Sequence, residues 1–132
     1  MKQKILNEIV KNSIKLIGYK TIKENYKEIN KALDFVKKEL KDYHIKEIII
    51  DDYKNLVISN TLDNNLDIIF CGHIDVVVCD KYEGKVIDNK LYGRGAFDMK
   101  SQLSIMMSVL KNNKSDKKIA LIITSDEEIG GN

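Results

Sequence analysis

Residues 117–128, KKIALIITSDEE, decide how this chain folds. Six residues from Ile119 to Thr124 are apolar or β-branched, short enough for a strand and too continuous for a half-solvated one. The run ends abruptly in Asp126, Glu127 and Glu128. A solvated acidic loop is the usual meaning of such a triplet. A strand this apolar, however, belongs near the middle of a sheet, and open α/β sheets collect ligands beyond the carboxyl ends of their strands. On extended chain, adjacent side chains point apart, so Glu127 and Glu128 are expected to do different jobs.

The same pattern recurs upstream. LDIIFCGHID (66–75) reads as a buried strand running into Gly72, with His73 and Asp75 just past it. Residues two apart on extended chain share a face, so Asp75 can orient the His73 imidazole. Alone, an HxD pair is as readily a capped strand end.

Working outward, Leu6, Ile9, Val10, Ser13, Ile14 and Ile17 lie at helical spacing, with Gly18 as the stop. Thr21 and Glu24 have capping-box spacing and place a second helix, with Ile29, Leu33, Val36 and Leu40 on one face. HIKEIIID (44–51) and NLVISN (55–60) read as strands around a polar turn, and GKVIDNKLYGRG (84–95) as a hairpin turning at Asp88-Asn89. Leu103, Met106, Met107 and Leu110 mark a third helix beginning near Asp98, where an aspartate is ordinarily an N-cap. Helices interleaved with apolar strands predict an α/β domain, a three-layer sandwich around a mixed central sheet.

Composition narrows the function. In 132 residues, 22 basic and 20 acidic side chains are interspersed, without the basic stripe of a nucleic-acid binder. The first 18 residues are broken by Lys, Asn and Glu, unlike a signal peptide, and no later stretch is long and apolar enough to span a bilayer. No nucleic-acid or membrane partner is expected. The two cysteines, Cys71 and Cys79, are too few for a disulfide framework and lack CxxC spacing for a redox module. A cytoplasmic location is the expectation, with Cys71 a small buried hydrophobe. One imidazole and several carboxylates from two strand ends and a helix start suit zinc, cobalt or manganese better than a thiolate-rich structural site.

GHIDVV (72–77), KLYGRGAFDMKS (90–101) and TSDEEIGG (124–131), in that order, resemble the co-catalytic zinc peptidase and deacylase family. That family includes succinyl-diaminopimelate desuccinylase, acetylornithine deacetylase and glutamate carboxypeptidase. The resemblance implies two divalent ions, zinc first and cobalt or manganese as alternatives. It makes His73 and Glu128 ligands of separate metals and Asp98 the bridging ligand, followed by a cis peptide. It makes Glu127 the general base and Asp75 the carboxylate that orients His73. The implied reaction is hydrolysis of an amide bond in an N-acyl amino acid or short peptide, by a homodimeric parent enzyme. Residues 1–132 would be the N-terminal part of its catalytic domain, without the inserted dimerisation domain and the C-terminal part, which supply further ligands. Val78 stands where relatives carry proline. The alternative is a truncated α/β fragment that folds, associates through strand edges and hydrolyses nothing.

Overall fold

The computed structural model describes residues 1–131. Helix α1 (Lys2–Ile17) ends as expected at Gly18, whose N–H reaches the Ile14 carbonyl. Helix α2 (Tyr26–Glu39) buries Ile29, Ala32, Leu33 and Val36. Strands β1 (His44–Ile50) and β2 (Tyr53–Ser59) form an antiparallel hairpin. Asp51 and Asp52 both take positive φ, 45° and 70°, the backbone of the two-residue turn whose twist matches paired strands. After β3 (Ile68–His73) comes a separate two-stranded ribbon, β4 (Lys85–Ile87) and β5 (Lys90–Tyr92), turning at Asp88-Asn89 as expected. Helix α3 (Lys100–Asn112) and β6 (Ile119–Thr124) follow, then a 3₁₀ turn at Glu127–Ile129.

The main sheet has the order β1-β2-β6-β3; β2 runs antiparallel to β6 and β3 runs parallel to it. This is the mixed α/β sheet read from the sequence, with β6 in its interior. Leu56, Ile58, Leu121 and Ile123 share a core with Leu33 and Val36 of α2 and Leu103 and Met107 of α3. Each such side chain, fully buried, contributes about 1.5–3 kcal/mol. Helix α1 packs along α3. The described residues thus supply a helical layer and the sheet, two of the three expected layers.

Three expectations are corrected. Strand β3 is at the sheet edge, so Ile69 is 54% exposed and Cys71 is exposed rather than buried. A continuous apolar run reports strand character, not its place in the sheet. Thr21 and Glu24 form no capping box: α2 begins at Tyr26, and the Thr21 hydroxyl is spent on the Ile74 carbonyl at 2.7 Å. Asp98 is no N-cap either, since α3 starts two residues later with Met99 at the capping position.

What places the site is the parallel register of β3 on β6. It pairs Gly72 with Ile123 and His73 with Thr124, so both strands deliver their carboxyl ends to one edge. Helix α3 approaches that edge closely. A Cβ on Gly72 would stand 2.8 Å from Leu103 Cδ2 and 3.0 Å from Met99 Cε.

Candidate metal centre

His73 closes β3 and is 6% exposed. Its ring is held from both sides. Nδ1 lies 3.0 Å from the Asp75 carbonyl oxygen and 3.5 Å from the Asp75 carboxylate; Nε2 lies 3.1 Å from Asp98 Oδ1 and 3.6 Å from Glu127 Oε2. The Asp98 carboxylate reaches inward from the turn before α3, and the Asp98-Met99 peptide is cis.

Asp75 is 3% exposed. Burying an ionised carboxylate costs several kcal/mol unless partners replace its water. One oxygen, Oδ2, accepts the Glu128 backbone N–H at 2.8 Å. The other, Oδ1, has no hydrogen-bond partner among the described residues and lies 3.5 Å from Nδ1 of His73. Asp75 therefore joins the two strand ends, orienting the imidazole from β3 while fixing the backbone after β6.

Glu127 and Glu128 differ from the extended-chain expectation. They lie in the 3₁₀ turn Glu127–Ile129, where successive side chains turn by roughly 120° rather than 180°. Their carboxylates converge: a ligand atom from each of His73, Glu127 and Glu128 lies within 4.8 Å of the others. The Asp98 carboxylate joins them through Nε2 of His73. All five residues singled out in the sequence, His73, Asp75, Asp98, Glu127 and Glu128, thus gather at one edge. A cleft of about 290 Å³ opens beside them, lined by Cys71, Gly72, His73, Met99, Thr124 and Glu127.

The donor set suits a cation. The Asp75 carboxylate first, then its carbonyl and Asp98, hold the imidazole protonated, raising its pKa from 6.5 to about 9 against the opposing effect of burial. A ring that charges so readily sits in a strongly negative field. A divalent ion would displace that proton, and an imidazole beside the Asp98 and Glu128 carboxylates suits hard-to-borderline metals that take N and O ligands.

Sequence reading missed Lys100. It is completely buried, its Nζ donates to the Tyr19 carbonyl at 2.7 Å, and burial pushes its pKa from 10.5 down to about 7. A lysine at the start of an apolar helical face was the available signal. Lysine is almost never buried without a reason.

Residues 69–132 match the family model described as peptidase family M20/M25/M40. A succinyl-diaminopimelate desuccinylase of Sulfurimonas denitrificans is 33% identical over 103 residues, covering 73% of this chain and 28% of the relative. That of Rickettsia akari is 33% identical over 133 residues, covering 86% of this chain and 34% of the relative. The chain thus spans about a third of the length of these relatives. Among solved structures, human carnosine dipeptidase 1 superposes with a TM-score of 0.83 at 19% identity, over 97% of this chain and 34% of that one. The M20 family metallo-carboxypeptidase Sso-CP2 of Sulfolobus solfataricus gives 0.77 at 18% identity, over 93% and 32%. At these identities the structural likeness establishes the shared fold.

Proposed function

We propose, from the premise that this chain belongs to peptidase family M20/M25/M40, that it is the N-terminal part of the catalytic domain of a metal-dependent amide hydrolase. The substrate class is an N-acyl amino acid or a short peptide, as the names of the desuccinylase and dipeptidase relatives suggest. The observation that carries this reading is one buried imidazole facing Asp98 at 3.1 Å and Glu127 at 3.6 Å, with Glu128 in the same cluster.

His73 would hold one divalent ion and Glu128 the other, with Asp98 bridging; zinc is the first choice. Bound there, the ions would supply an acidified water and a polarised scissile carbonyl. The chain's own residues do the rest. Glu127, with 60% of its side chain exposed, takes a proton from the water that attacks the carbonyl carbon. It returns that proton to the nitrogen as the C–N bond breaks, the ordinary exchange of a general base and acid. Asp75 keeps Nε2 of His73 aimed at the centre and holds the Glu128 backbone in register. Such outer partners fix ligand geometry and basicity.

The described residues would offer each ion two protein ligands, whereas catalytic zinc ordinarily keeps three and a water. Alone, the chain should therefore bind zinc weakly and hydrolyse nothing measurable. The test is zinc calorimetry, with assays on N-succinyl and N-acetyl amino acids and dipeptides, on residues 1–132 and on a chain extended to its relatives' length. The extended protein should bind zinc and turn over, and E127Q in it should lose turnover while keeping its metal. An E127Q enzyme with undiminished turnover would overturn the assignment of the base, and an extended chain without zinc affinity would overturn the centre.

A further inference from the structure

Lys100 has three attachments, and each reaches a different part of the molecule. Its backbone N–H donates to the Gly95 carbonyl at 2.7 Å, closing the turn that carries Asp98. Its aliphatic stem fills the place of a Gly95 side chain: a Cβ there would meet Lys100 Cδ at 2.9 Å and Val76 Cγ1 at 3.0 Å. Its ammonium donates to the Tyr19 carbonyl, across 81 residues of sequence.

Tyr19 opens the segment between α1 and α2, and that segment grips the chain beyond β3. Thr21 donates its hydroxyl to the Ile74 carbonyl at 2.7 Å and accepts the Val76 N–H on its own carbonyl at 2.9 Å. Thr21 is itself fully buried. The two bonds straddle Asp75. A continuous path therefore runs from the Asp98 turn, through Lys100 and Tyr19, to Thr21 and the backbone on either side of Asp75. An ammonium kept from water costs several kcal/mol, and packing alone could be served by methionine, which has nearly the same shape. The amine is needed for the bond at its tip.

From this path we infer that Lys100 is a positioning residue: by tying the Tyr19–Thr21 segment to the start of α3, it sets the separation between His73 with Asp75 on one side of the centre and Asp98 on the other. The inference rests on the reading of His73 and Asp98 as partners in one centre. It needs no metal for its first test.

That test follows the His73 ring nitrogens by ¹⁵N NMR in metal-free protein at one fixed pH. D98N marks the spectrum of a ring that has lost its partner. K100M keeps the stem and removes the donor; T21V cuts the same path one step further along. Both should move the Nε2 resonance towards its position in D98N, and K100R, which keeps a donor, should restore most of the difference. I58V, a core truncation on β2 outside the hydrogen bonds of the path, should lower the melting temperature without moving the resonance. Zinc titrated into the same variants of the chain extended to its relatives' length should then bind K100M about 10–100-fold more weakly than wild type, the range for disturbing the shell that orients a ligand. A K100M or T21V ring spectrum that coincides with wild type overturns the inference, as does an I58V spectrum that shifts as far as K100M. Should K100M fail to fold, T21V decides alone. Zinc silence in every protein would count against the metal reading and leave the metal-free result standing.

Discussion

Replacing Asp75 by asparagine removes one charge and keeps the shape. The amide oxygen can still accept the Glu128 N–H that Oδ2 accepts at 2.8 Å, so the backbone after β6 should stay in place. What disappears is the largest influence holding His73 charged. In wild type without metal, the ring should titrate at about 9 rather than 6.5. Between those values the native protein binds one proton that the unfolded chain does not. This stabilisation is complete below pH 6.5 and is lost as pH rises through about 9. One proton sets an upper bound of about 1.4 kcal/mol per pH unit on the slope. The realised slope is smaller, because Asp98 and Glu127 are 66% and 60% exposed and their attraction is screened. Lys100 works in the opposite direction. Its pKa is depressed to about 7, so its burial penalty is relieved as pH rises above that value and stability climbs. Comparing D75N with wild type cancels most of the Lys100 contribution and isolates His73. In EDTA, the D75N ring should titrate well below the wild-type ring by NMR, and in urea unfolding the stability of wild type relative to D75N should fall as pH rises from 6.5 to 9. A wild-type ring titrating near 6.5, or a D75N ring indistinguishable from wild type, would refute the account of how Asp75 governs the imidazole.

Three further outcomes are expected from the packing. G72A must displace Leu103, whose Cδ2 would lie 2.8 Å from the new methyl; urea unfolding should register a loss of about 1–3 kcal/mol, as for other overpacked sites, and an unchanged midpoint would show that α3 does not press on β3. Substituting Asn-Gly at positions 51 and 52, where both residues now take positive φ, should raise stability by about 0.5–1 kcal/mol, since Gly meets no penalty there; a lower melting temperature would contradict the assigned turn. L121A, in the buried interior strand, should cost about 2–5 kcal/mol, while I69A, 54% exposed on the edge strand, should change stability by no more than about 0.5 kcal/mol. Equal losses at the two positions would place β3 in the interior after all.

Sequence by itself determined the local elements and singled out the residues that the fold gathers at one edge. The hydrophobic period of α1 and α2, the apolar run of β6 and the Asp88-Asn89 turn are dictated by neighbours a few residues away, where backbone sterics and side-chain spacing act directly. The carboxylates at the ends of apolar strands were legible for the same reason, since charged groups interrupting a buried run need an explanation. Tertiary structure alone decided which way those groups face and what supports them. Parallel pairing of β3 on β6 put His73 beside Thr124, a choice no local pattern encodes. The edge position left Ile69 and Cys71 exposed although their run reads as buried. Thr21 gave up a cap for the Ile74 carbonyl 53 residues away, and Glu128 donates its N–H to Asp75 over the same separation. These contacts depend on which surfaces meet once the helices settle on the sheet, and the energy that selects among them is shared over the whole core rather than written in any short segment.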